Sequence, residues 1–258
     1  MIVNNITNLS KGIAMRRLFI ICIVMLFAFQ SGCAKKAEFR DGDVIVTNKD
    51  SKGHHVTMTF TRGNAWGSPV SFGPVKLKIK PQIAVWVEDT AGNFRQNLYV
   101  TRCFAKQEWR GIKNHPDSTY RTSSLPYWMN KILRASLPLP TMAKPLPDAV
   151  TAATPDGSFT IESNIDSSIN AGTIWCEFNS SFDNNEAWPK KEKSNESFNG
   201  QPSLLFKGEF SSESDTAAVL MKFAGRGGDN GTDGTLYEND KDITTAKEII
   251  TKIDFLIK

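Results

Sequence analysis

Residues 83–101, Ile83-Ala-Val-Trp-Val-Glu-Asp-Thr-Ala-Gly-Asn-Phe-Arg-Gln-Asn-Leu-Tyr-Val-Thr101, decide the fold class. Ile83 to Glu88 and Phe94 to Thr101 are filled with β-branched and aromatic side chains, which suit a pleated, half-buried surface. Between them, Thr90-Ala-Gly-Asn93 supplies residues that tolerate positive φ, so the two runs form an antiparallel hairpin. Period-2 runs recur outward from this hairpin in both directions. Val44 to Thr47, Val56 to Thr61 and Val75 to Lys80 precede it; Ser158 to Glu162, Gly172 to Phe178, Ser203 to Phe210, Ala217 to Ala224 and Ile249 to Ile257 follow. In the last run Thr251, Ile253, Phe255 and Ile257 share one face. A helix over Thr244 to Lys252 competes there, and the β-branched tail favours a strand. The expected fold is therefore mostly β, with antiparallel sheets packed as one large or two small β-sandwiches.

The rhythm breaks over residues 102–136. Pro126, a favoured first helical residue, opens a short helix expected over residues 126–135, with Tyr127, Ile132 or Lys131, and Ala135 near one face. The Pro-rich stretch from Leu137 to Pro147 is extended, because each proline fixes φ and pushes the preceding residue out of the helical region. It either crosses from one sheet to the other or acts as a loose linker. The chain thus divides into a leader (1–32), a tether (33–43), an N-terminal β region (44–136), a connector (137–157) and a C-terminal β region (158–258).

The leader starts as Met15-Arg-Arg, a possible true start, continues as the apolar run Leu18 to Phe29, and ends Gln30-Ser-Gly-Cys33. A basic start, a short apolar core and small residues before a cut define a secretory signal. The run is shorter than the roughly 20 residues of a spanning helix. Ser-Gly-Cys33 resembles the lipobox of bacterial lipoproteins, which implies diacylglycerol on the Cys33 sulfur and a chain held on a membrane of the cell envelope. Ala34, where an inner-membrane retention signal has Asp, favours the outer membrane. Removing Lys11, Arg16 and Arg17 lowers the 31 bases to 28 against 27 acids, so the net charge drops from +4 to +1. Nothing in the sequence resembles the clustered basic face that phosphate-backbone binding requires, so nucleic acid is not an expected partner.

Cys22 leaves with the leader, so Cys103 and Cys176 remain once Cys33 is acylated. They form either a bridge between the two halves or two separate buried thiols.

Two stretches could carry chemistry. Asp148-Ala-Val-Thr-Ala-Ala-Thr154 resembles the acceptor motif of covalent FMN carriers, with Ala152 where that pattern has Gly. The resemblance implies a phosphoester at Thr154, with Asp148 and Thr151 read by a flavin transferase; otherwise Asp148 and Thr151 hydrogen-bond a turn. In Gly227-Gly-Asp-Asn-Gly-Thr-Asp-Gly234, Asp229, Asp233 and Asp240 occupy the first, fifth and twelfth places of a calcium-loop spacing. Gly231 fills the third place, where a ligand belongs, and a Gly-rich turn accounts for the same residues. His54, His55 and His115 are the side chains suited to acid–base work near neutral pH, and Asp183 or Glu186 could partner one of them. Trp86, Trp128, Trp175 and Trp188 line a groove or fill the core. No nucleophile elbow or zinc-protease helix occurs in the sequence.

Taken together, PQIAVWVEDTAGNFRQNLYVT, SLPYW and PDAVTAATPDGSF are similar to stretches of a family of periplasmic β-sandwich proteins of unknown function. Genes of that family often lie near flavin-transfer and membrane electron-transfer systems. The resemblance covers residues 75–160 best and implies a fold and a neighbourhood. The expected function is a non-catalytic, lipid-anchored envelope protein that binds or scaffolds a protein partner; the alternative is a covalent FMN carrier.

Overall fold

A computed structural model describes residues 42–67, 69–109, 115–190, 200–212, 217–228, 231 and 233–258. Cys33 and the leader lie outside the described residues. The strands are β1 (Asp43–Val46), β2 (Gly53–Arg62), β3 (Pro69–Phe72), β4 (Val75–Lys78), β5 (Gln82–Asp89), β6 (Phe94–Thr101), β7 (Thr151–Ala152), β8 (Phe159–Asp166), β9 (Ala171–Asn179), β10 (Leu204–Ser211), β11 (Val219–Leu220), β12 (Lys222–Arg226) and β13 (Ile250–Ile257). Two helices, α1 (Arg102–Ala105) and α2 (Pro126–Arg134), follow β6.

The first sheet runs β1-β8-β2-β13-β11 and the second β12-β10-β9-β5-β6-β7. Both sheets draw strands from both halves of the chain, so residues 44–136 and 158–258 build one sandwich. β8 inserts between β1 and β2, pairing parallel with β1 and antiparallel with β2. The C-terminal β13 closes on the other edge of β2. A single turn of 3-10 helix, Thr245–Glu248, precedes β13, which is where the competing helix reading had fallen.

The inner faces of the two sheets meet over Val56, Met58, Phe60, Val85, Val87, Phe159, Ile161, Ile174 and Phe255. Phe60 and Phe159 are register partners across β2 and β8, and their rings stack with centroids 4.6 Å apart. Burying each such side chain contributes about 1.5–3 kcal/mol.

β5 is buried from Gln82 to Glu88. Its near-continuous apolar run reflects burial on both faces. Ile83, Val85 and Val87 face the first sheet. Ala84 and Trp86 face the other way, into a second core with Phe104, Leu125, Trp128, Met129 and Ile132 from α1, α2 and the segment between. The buried face of α2 is Trp128, Met129 and Ile132; of the residues expected near one face, Ile132 is buried, Tyr127 and Lys131 are half-buried, and Ala135, just past the helix, is exposed. Trp128 enters the core edge-on against Phe104 of α1, with ring centroids 5.6 Å apart, while Tyr127 lies against the rings of Trp86 and Trp175.

The Pro-rich connector is pinned rather than loose. Leu146 N–H donates to the Ala105 carbonyl at 2.9 Å, Ala143 N–H donates to the Pro116 carbonyl at 2.8 Å, and Leu139 and Leu146 pack on the second core. The connector leads into β7, parallel to β6 at the edge of the second sheet, and residues 153–158 then cross to β8 in the first.

The bridge considered between Cys103 and Cys176 is not made. Cys176 is buried on the inner face of β9, whereas Cys103 is exposed on α1, so the open alternative resolves to two separate thiols.

Candidate functional site

The second core is organised around two carboxylates. Glu177 on β9 is fully buried. It accepts hydrogen bonds from Ser203 Oγ at 2.6 Å, from Trp128 N–H at 2.7 Å and from Tyr127 N–H at 3.2 Å. The first turn of a helix leaves its N–H groups without intrahelical partners. Leu125, at the cap position, supplies no side-chain acceptor, so a strand residue far away in sequence caps α2. Burial pushes the Glu177 carboxyl up to about 7, while the Ser203, Trp128 and Tyr127 donors pull it back down.

Glu88 on β5 is also buried and accepts from Trp86 Nε1 at 2.8 Å and Lys131 Nζ at 3.0 Å. Tyr127 lies between the two carboxylates. Burial first, then the Glu88 and Glu177 charges, push its hydroxyl up to about 12. The rings of Trp86 and Trp175, register partners across β5 and β9, are nearly parallel with centroids 6.0 Å apart. Trp86 and Trp128 are fully buried, so these rings belong to the core and not to a groove. Trp188 is half-buried under the Arg226 guanidinium, 5.5 Å from its ring centre.

In the 148–154 stretch every polar group has a protein partner. Asp148 pairs with Lys106 Nζ at 2.8 Å, and that lysine holds its carboxyl below the ordinary value. Thr151 Oγ1 donates to the Pro147 carbonyl at 2.8 Å, closing the one-turn helix Asp148–Val150. Thr154 Oγ1 donates to the Pro81 carbonyl at 3.1 Å. The stretch therefore uses its polar residues as turn and edge fasteners, and it does not gather them round one point.

Of the calcium-spaced residues, Asp229 lies outside the described residues. Asp233 accepts from the Thr235 N–H and hydroxyl, and Asp240 pairs with Lys247. Among the described residues no group of three or more His, Cys, Asp or Glu side chains converges. His54 meets Asn170 at 3.3 Å, His55 meets Asn164 at 3.3 Å, and the His115 ring accepts the Asp117 N–H at 3.3 Å. Asp183 is held by the Thr245 hydroxyl, burial raises its carboxyl, and Glu186 is exposed.

A polar cleft of about 220 Å³ opens where the sheets part, lined by Ser51, Arg95, Gln96, Asp166, Ser168 and Ile169. Gln96 on β6 ties the sheets together there: its Nε2 donates to the Asn164 carbonyl at 2.9 Å and its Oε1 accepts the Asp166 N–H at 3.0 Å. Asp166 also accepts the Ser168 N–H at 2.8 Å, and its carboxyl sits below the ordinary value because of Ser168 first and Arg95 last. The volume is below the about 300–1,000 Å³ of small-molecule sites. None of these lining residues stood out in the sequence. The signal was the polar run Arg95-Gln96-Asn97 in the first half of β6.

Comparison of the chain with protein-family profiles, characterised proteins and solved structures gives no match.

Proposed function

We propose that the chain is a lipid-anchored cell-envelope protein whose sandwich binds or scaffolds a protein partner and does not catalyse a reaction. The supporting observation is the opposition of the two ends of β8. At one end Gly42, through which the segment carrying Cys33 joins, donates to the Ser158 carbonyl at 2.6 Å. At the other end Asp166 lines the polar cleft. Eight strand residues span about 25 Å. A chain acylated at Cys33 in the outer membrane then presents Ser51, Arg95 and Asp166 away from the lipid, as hydroxyl, cation and carboxylate for a polar loop of the partner.

The test places a photo-crosslinking residue at Ser51 or at Thr59, which is exposed on the outer face of the first sheet. Mass spectrometry of Cys33 is read from the same cells. The expected result is an acylated Cys33 and a discrete adduct from position 51 that position 59 does not give. An unacylated Cys33, or identical patterns from the two positions, sinks the reading.

The second reading is a covalent FMN carrier with Thr154 as acceptor and a flavin transferase as partner. The exposure of Asp148, whose side chain is 93 % exposed, leaves it open to a transferase, and the half-buried Thr154 sits in the crossing between the sheets. Denatured protein from cells holding the transferase then carries flavin fluorescence, and Thr154→Ala removes it; fluorescence that persists in the variant ends this reading.

A further inference from the structure

The β3–β4 hairpin stands apart from both large sheets as a separate two-stranded sheet. Its register sets Val70 opposite Leu77, Phe72 opposite Val75 and Ser71 opposite Lys76. Because side chains alternate along a strand, Val70, Val75 and Leu77 share one face and Ser71 and Lys76 the other. All of β4 is exposed, with Val75 at 51 % and Leu77 at 48 %. A lone two-stranded hairpin is marginal in water and needs something against its apolar face.

The position of the hairpin says what that is. Lys78 and Lys80, at and just beyond the end of β4, reach Asp156 at 3.8 and 2.9 Å. Asp156 is two residues from Ser158, whose carbonyl accepts the Gly42 N–H. The hairpin therefore sits at the end of the sandwich where the chain from Cys33 enters. Residues 34–42, fully extended at about 3.3–3.6 Å each, hold that end within roughly 30 Å of an acylated Cys33. Exposed apolar side chains on one face and polar ones on the other are the features of an element resting at a bilayer boundary.

We infer that the β3–β4 hairpin lies on the lipid surface beside the anchor, with Val75 and Leu77 in the headgroup–acyl boundary and Lys76 on the face turned away from it; the inference rests on the lipid-anchor reading of Cys33. It makes the protein a two-point membrane attachment that fixes the direction in which the opposite end faces.

The test uses the full acylated chain in vesicles of phosphatidylethanolamine and phosphatidylglycerol. A nitroxide is attached in a Cys103→Ser background through Leu77→Cys or, as a control at the far end, Asp50→Cys. The expected result is at least about a fivefold drop in relaxation by a water-soluble reagent at position 77 relative to position 50, with oxygen relaxation increased. Equal accessibility at the two positions in an acylated, vesicle-bound chain overturns the hairpin contact and leaves the anchor standing. Spin–spin broadening at position 77 shows a second copy on the face and also overturns it. A Cys33 without acyl mass in the same sample removes the anchor reading and this inference together.

Discussion

The Glu177 carboxylate, on β9, accepts the Trp128 N–H at 2.7 Å and so caps a helix that begins 51 residues earlier in the chain. The contact locks α2 onto the outer face of the second sheet with a group that burial has made a weak acid.

Stability should therefore depend on pH through Glu177. Its carboxyl lies near 7 in the folded protein against about 4.5 unfolded, so the native state holds the proton more tightly. The resulting stabilisation is complete below about pH 4.5 and is lost as pH rises through 7, a swing of roughly 3 kcal/mol. Urea denaturation of Glu177→Gln at pH 5 and pH 8 checks this. The variant should lose most of the difference; a variant whose pH dependence matched the parent's would assign it to other groups.

Lys131 and Glu88 form a buried ion pair, with side chains 17 % and 4 % exposed. Lys131→Met leaves the Glu88 charge buried with only Trp86 Nε1, which should cost about 3–5 kcal/mol. Combining it with Glu88→Gln should recover most of that loss. Guanidinium unfolding of the two single variants and the double variant measures the coupling, and simple additivity would count against the pair.

Gly172 is required by close approach. A Cβ there would lie 2.1 Å from the Glu88 carbonyl oxygen across the β5–β9 ladder. Gly172→Ala must push the central strands apart and should cost about 1–3 kcal/mol or more. Thermal unfolding tests it; a midpoint within a degree or so of the parent's, against the several degrees expected per kcal/mol, would mean that the strands can yield.

The thiols should differ sharply in reactivity. Burial raises Cys176 well above the ordinary thiol value, whereas Cys103 is exposed. A thiol reagent added to the folded protein should label Cys103 alone, and Cys176 should react only after denaturation. Absence of both free thiols in oxidised protein would restore the bridge.

Nearly all of the sandwich strands were legible because one side of each faces the core and alternation survives in the sequence. β5 was legible from the same β-branched and aromatic content, although its burial on both faces did not show. What did not show was the second core. Trp128 turns inward against Phe104 of α1 and Tyr127 lies against Trp86 and Trp175, contacts with other elements that local periodicity does not register, so that periodicity favoured Tyr127 and Ala135 over Trp128 and Met129. Glu88 and Glu177 were not singled out in the sequence, because it is their contacts with Tyr127, Trp128 and Lys131 of α2 that make them a site. The cleft residues Arg95, Gln96 and Asp166 come together only where β6 and β8, members of different sheets, end side by side.

The insertion of β8 between β1 and β2, with β13 on the far side, has a consequence for the order of assembly. As the chain emerges N-terminus first, β2 has neither neighbour: Val56 waits for Ser163 on one flank and for Ile257 on the other. Pairings of such long sequence separation form slowly and leave strand edges open in the meantime. The first sheet can close only when the last eight or so residues have arrived, so truncating the tail by a single strand should leave a chain that collapses without ever knitting its first sheet.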